Sequence, residues 1–221
     1  MVLLDNDVYR EAKNIALGIA HRSPLANDFA AWAASEYAIR ILNIQLQKLD
    51  PPSRFSYRLL VIITNTEDYQ KTLLSPWERN DQLLAEMARQ FLAVAAKHGS
   101  AEKILLTDLL VTCYDFSREA MTEANWKATE EFRAEIRRPY PIIWDVIALF
   151  ESSVVFYFSD EDIFRYLESG VSQTVTDEYY SILKKHDDLS LFTKDNLRLS
   201  FDSKENVDKN YAGSLFYYSR G

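Results

Sequence analysis

The stretch Leu60-Val61-Ile62-Ile63-Thr64-Asn65-Thr66-Glu67-Asp68-Tyr69 has a counterpart in Val154-Val155-Phe156-Tyr157-Phe158-Ser159-Asp160-Glu161-Asp162-Ile163. Each opens with a run of β-branched and aromatic residues, as a strand buried on both faces requires. Each then turns polar, with side chains of the kind that cap a helix start. The helices after these caps close on Lys97-His98 and on Lys185-His186. After a linker comes a further apolar run, Leu110 to Tyr114 in one half and Leu197 to Phe201 in the other. There Asp115, Ser117, Arg118 and Glu119 recur in order as Asp202, Ser203, Lys204 and Glu205. Two copies of a β-α-β unit would give this pattern, and would be expected to pack about a pseudo-two-fold axis with a ligand groove between them. The plainer account is that any chain of strands and helices repeats strand, cap and helix, and the match needs gaps.

Around these stretches, Val8, Ala12, Ile15, Ala16 and Ile19 fall at helical spacing, so Asp5 or Asp7 is expected to cap a first helix running to about Ala20. Ser23-Pro24 starts a second, whose apolar positions from Leu25 through Phe29, Trp32, Tyr37, Ile41 and Ile44 carry it to about Leu49. Pro51-Pro52 stops it, because proline lacks an amide hydrogen and crowds the preceding turn. Ser75-Pro76 is read as opening a third helix that ends at Gly99, with Leu83, Leu84, Met87, Phe91 and Val94 on one stripe. A helix is expected from Ser117 to Arg137, then an apolar run Ile142 to Phe150 that fits either strand or buried helix. Val154 to Phe158 reads as a strand, and helices are expected at Asp160 to Leu167 and Thr176 to Lys185. Strands are expected at Leu197 to Phe201 and Leu215 to Tyr218, with room for a short helix between them. The reading is an α+β (or α/β) chain: an N-terminal helical pair at 1–52, α/β units at 53–138 and 139–221, all in one compact body on a mixed sheet.

Composition narrows function mainly by exclusion. Only five of 221 residues are glycine, and none lie close together. Neither the phosphate-cradling P-loop nor the dinucleotide fingerprint can be written with them, and the Gly-x-Ser-x-Gly nucleophile elbow is missing for the same reason. Met1-Val2-Leu3-Leu4 followed by Asp5-Asn6-Asp7 has neither the basic nor the long apolar region of a secretory signal. The longest strongly apolar run, Leu59 to Ile63, is far too short to cross a bilayer, so no membrane contact is expected. A single cysteine, Cys113, cannot form an internal disulfide and fits a reducing, cytoplasmic setting.

The net charge of −8 disfavours nucleic acid, whose phosphates demand clustered cations. All of the excess lies after residue 100, where fourteen basic residues face twenty-two acidic ones. That imbalance is either an ordinary solvated surface or a face that steers a basic partner.

No chemical motif stands out. His21, His98 and His186 are dispersed, so no zinc pair forms, and no metal or cofactor is expected. His98 and His186 sit where a helix C-terminus favours a cation. Cys113, mid-strand among aliphatic residues, reads as an inert thiol. Asp202 to Asp208 places oxygen side chains like a calcium loop but has Val207 where the turn glycine belongs. Asp115 and Asp202, at matching strand ends, are the candidates for acid and base work if the two units face each other. Asp160, Glu161 and Asp162 fit N-capping, and are also candidates for a partner-binding patch, as are Tyr217 and Tyr218. The expectation is a protein-interaction module, more plausibly not an enzyme, of the type of an acidic immunity or inhibitor protein that binds a basic partner. An enzyme or small-ligand binder with its site between the two units is the alternative. A homo-oligomer using the Tyr-rich C-terminal segment is a third.

Overall fold

A computed structural model describes residues 6–99, 104–136 and 139–220. Asp5 and Arg137, named above as helix ends, lie outside the described residues. The chain divides into two compact units, residues 1–119 and 120–221.

In the first unit, α1 (Asn6–Ala16) and α2 (Pro24–Tyr37) precede β1 (Ile41–Lys48) and β2 (Tyr57–Ile63). Then come the short α3 (Thr66–Gln70), a small hairpin of β3 (Leu73–Ser75) and β4 (Glu78–Arg79), α4 (Asp81–Lys97) and β5 (Leu109–Asp115). α5 (Phe116–Ile136) continues directly from β5. The sheet order is β1-β2-β5, with β1 antiparallel and β5 parallel to β2. One face of the sheet carries Leu59, Val61, Ile63, Leu109 and Val111 onto a core with Phe29 and Ala33 of α2 and Leu83, Leu84, Met87 and Phe91 of α4. Burying each large apolar side chain there contributes roughly 1.5–3 kcal/mol.

The second unit has β6 (Ile143–Leu149), β7 (Ser152–Tyr157), α6 (Asp160–Glu168), α7 (Val171–His186), β8 (Arg198–Ser203), α8 (Lys204–Asn210) and α9 (Leu215–Tyr218). Its sheet order is β6-β7-β8, again one antiparallel and one parallel pair. One core joins Val146, Val155 and Tyr157 to Phe132 of α5 and to Val175, Tyr179 and Leu183 of α7. The other face is held by an aromatic chain in which Trp144 meets Phe156 and Phe156 meets Tyr218, both edge-on.

The fold is α+β, as the sequence indicates, and the N-terminal helical pair is present. The two units also repeat each other in detail. Register slips in the same place, between Ile41 and Asn43 opposite Ile63 and Ile62, and between Ile143 and Asp145 opposite Tyr157 and Phe156. Asn65 caps α3 by accepting from the Asp68 amide, and Ser159 caps α6 by accepting from the Asp162 amide.

Three expectations need correction. The second helix ends at Tyr37, not Leu49, because Ala38 adopts a left-handed conformation (φ 51°) whose amide closes on the Ala33 and Ala34 carbonyls. From Ile41 the chain runs as β1 instead. The bulge explains the misreading: Ile39 and Ile41 are two apart but Ile44 lies three further on, so one sheet face imitates helical spacing. The ambiguity over residues 142–150 has the same source, since Ile143 and Val146 flank the equivalent bulge. Pro76 sits in the β3–β4 turn rather than at a helix start, and Asn80 caps α4. Leu215 to Tyr218 is a helical turn capped by Ser214, not a strand, and Tyr218 is anchored on Asp202.

Candidate functional site

In the first unit the carboxyl ends of the parallel strands β2 and β5 meet the start of α3, the β3–β4 hairpin and the start of α5. Clefts outside strand carboxyl ends are where open α/β sheets bind ligands. A cavity of about 290 Å3 lies here, lined by Tyr69, Thr72 and Leu73, by Arg79 and Leu84, by the five consecutive β5 residues 111–115, and by Arg118 and Glu119. A second hollow of about 540 Å3 shares Tyr69, Leu73, Asp115 and Arg118 with it and extends past Thr66 to Leu74, Ser75 and Pro76. The hairpin walls both hollows. At its tip Trp77 is 95% exposed, and Leu74 is 65% exposed.

Asp115 is the organising side chain. One carboxylate oxygen accepts from the Thr66 hydroxyl at 2.5 Å. The other accepts from the Ser117 hydroxyl at 2.8 Å and from the Arg118 amide at 3.1 Å, so Asp115 caps the start of α5. Burial pushes the Glu119 carboxyl and the Tyr69 phenol above their ordinary values. The Cys113 thiol is pushed up to about 12 by burial, against an opposing hydrogen bond with Thr72. It is therefore a packed thiol and not a nucleophile at neutral pH. Thr112 has a buried hydroxyl oxygen with no hydrogen-bond partner in the described structure. Such a group costs about 1–3 kcal/mol relative to a satisfied one, and calls for an explanation.

The second unit uses the equivalent positions differently. β7–β8 register places Ser203 opposite Tyr157, as Asp115 lies opposite Ile63, so the structural partner of Asp115 is Ser203 and the partner of Asp202 is Tyr114. Ser203 caps α8 through the Asn206 amide, and its hydroxyl donates to Asp160, the counterpart of Thr66. The hydroxyl–carboxylate pair is thus present in both units with its two residues exchanged. A contact that works in either polarity ties a strand end to a helix start and needs no catalytic explanation. Asp202 itself is held by the Asn206 amide group at 3.0 and 2.9 Å and by the Tyr218 hydroxyl at 2.7 Å. Burial, reinforced by that bond to Asp202, raises the Tyr218 phenol well above its usual range.

The acidic cluster after β7 is similarly engaged. Glu161 and Asp162 pair with Arg165, Asp162 completes the reciprocal cap with Ser159, and Asp160 lies near Lys209. Tyr217 is 59% exposed beside Phe216, over which the Arg220 guanidinium stacks at 4.1 Å. The two histidines at helix ends pair with carboxylates, His98 with Asp28 at 2.9 Å and His186 with Glu131 at 2.7 Å. Among the described residues no group of three or more His, Cys, Asp and Glu side chains is placed to hold a metal ion. No described helix is long and apolar enough to cross a membrane.

Sequence reasoning reached Asp115 but not the hairpin, Tyr69 or Thr112. The available signal was Trp77 itself, a tryptophan between Pro76 and Glu78 that belongs to no apolar stripe. No protein-family model, curated protein or solved structure matches this chain.

Proposed function

We propose that this chain is a cytoplasmic protein-interaction module, of the inhibitor or immunity type, that engages its partner through the hairpin and cavity of the first unit. The observation that carries this reading is the β3–β4 hairpin, whose turn leaves Trp77 95% exposed and whose Leu74, 65% exposed, lines an open hollow. Trp is among the residues enriched at interface hot spots, and grouped exposed apolar side chains beside a hollow mark interaction sites more often than single ones do. The net charge of −8 favours a basic partner and faster encounter at low salt. Because the acids after β7 are paired internally, the charge contributes long-range steering while the contact itself belongs to the hairpin.

The test is affinity capture from source-cell lysate at low and high salt, with the wild-type chain and Trp77→Ala side by side. A basic protein retained by the wild type at low salt, reduced at high salt and lost with Trp77→Ala is the expected result. Equal capture by both chains would refute the assignment. A second reading, a small polar ligand in the 290 Å3 cavity, is favoured by the unpartnered Thr112 hydroxyl. Thermal-shift screening of metabolites, repeated on Thr112→Val, separates it from the first.

A further inference from the structure

The backbone of β5 says how a partner would be held. Thr64 N–H donates to the Arg40 carbonyl and the Ser56 carbonyl accepts from Leu49 N–H, which sets the even-numbered residues of β2 bonding toward β1; just ahead of the strand, the Ser56 N–H itself turns to the Asp108 carbonyl. The odd-numbered residues of β2 therefore bond toward β5. With Tyr57 opposite Leu109, the ladder uses the N–H and C=O groups of Leu110, Thr112 and Tyr114. Those of Val111 and Cys113 point the other way, to an edge on which no described strand is paired. The cavity runs along this edge, since five consecutive β5 residues line it.

Natural edge strands are guarded by charges, proline, bulges or a covering element. β5 carries no proline, and its one charge, Asp115 at the strand end, is taken up by the Thr66 and Ser117 hydroxyls and the Arg118 amide. Its topological equivalent β8 opens on Arg198 and has Asp202 near its end. β5 is thus the less guarded of the two edges, since only β8 carries a cation, at Arg198.

We propose that β5 accepts an extended segment of the partner as an added strand, the backbone groups of Val111 and Cys113 pairing with it while Trp77 and Leu74 cover its side chains. This mode, in which main-chain bonds give affinity and pockets give selectivity, is a recurring one. It rests on the interaction reading above.

The test uses a phage-displayed library of random dodecapeptides panned against the intact chain. Selected peptides are expected to lose binding to Trp77→Ala and to slow amide exchange at Val111 and Cys113 by about tenfold or more. N-methylation at alternate peptide positions should weaken binding about three- to tenfold per lost bond, with little effect at the intervening positions. Cys113→Pro removes one outward N–H while sparing the β2 ladder, and should abolish binding; the exchange and N-methylation data stand even if that variant does not fold. Peptides that need Trp77 yet leave both amides unchanged would overturn strand addition and leave the interaction reading intact. Failure to select any Trp77-dependent peptide would overturn both.

Discussion

Replacing Asp68 by Asn tests the most heavily bonded charge in the chain. Asp68 is only 2% exposed, and its carboxylate receives the Arg40 amide at 3.0 Å and the Arg40 guanidinium at 2.7 Å. The Asn65 amide group at 3.2 Å and the Lys71 ammonium at 2.8 Å complete the set. Burial alone would raise this carboxyl, but the Lys71, Arg40 and Asn65 bonds together overcome it and hold it far below the usual carboxylate range. Removing one member of a buried charged set costs about 3–5 kcal/mol when the remainder is stranded. Here the Arg40 and Lys71 side chains are 63% and 36% exposed, so water recovers part of the loss. We expect Asp68→Asn to lose about 2–4 kcal/mol at neutral pH, which for a unit of this size lowers its melting temperature by roughly 8–16 °C.

The pH dependence gives a second check on the same variant. A carboxyl whose folded value is depressed contributes stability that is fully present above its unfolded value of about 3.9 and fades as pH falls toward the folded value. The gap between wild type and Asp68→Asn should therefore be constant from about pH 5 to 7 and close progressively below about pH 4. Urea unfolding followed by fluorescence at several pH values measures it. A gap under about 0.5 kcal/mol at pH 7, the ordinary range of an inconsequential surface change, would refute the reasoning, as would a gap that persists undiminished at pH 2.5.

The exchanged pair supplies a further prediction: Thr66→Asp alone sets two carboxylates together and should destabilise, whereas Thr66→Asp with Asp115→Ser recreates the second unit's contact. A double-mutant cycle should show about 1–2 kcal/mol of favourable coupling, and strict additivity would refute the equivalence. Cys113 should react only slowly with a thiol-reactive disulfide reagent at pH 8 until the chain is unfolded in urea, because its thiol is held well above the ordinary range, so rapid labelling of the native protein would contradict that shift. Trp77→Ala should leave stability within about 0.5 kcal/mol of wild type while removing partner capture, because the side chain packs on nothing it stabilises.

Much of the fold was legible because its strongest signals are local. The β-branched and aromatic runs at Leu60 and Val154 read as buried strands, and Asn65, Ser159 and Ser203 cap helices as their residue types favour. β1 and β6 were hidden or ambiguous because a bulge breaks the two-residue period that identifies a strand. The site was harder to read. Asp115 announces itself at a strand end, yet its counterpart was placed one residue off, at Asp202, because matching residue types drew the alignment and only backbone register reveals Ser203. Trp77 gave no period to detect, and the unpartnered oxygen of Thr112 is a property of packing that no pattern of residue types encodes.

The exchange of hydroxyl and carboxylate between Thr66–Asp115 and Asp160–Ser203 also bears on descent. If the two units share an ancestor, one of them crossed from one polarity to the other by single substitutions. A step through two carboxylates brings like charges into hydrogen-bonding distance, whereas a step through two hydroxyls keeps a serviceable cap and a neutral contact. The permissive route runs through a Ser/Thr pair, so ancestral forms of this contact should carry hydroxyls at both positions. Any comparison that scores the halves column by column will count as two mismatches what the backbone keeps as one bond.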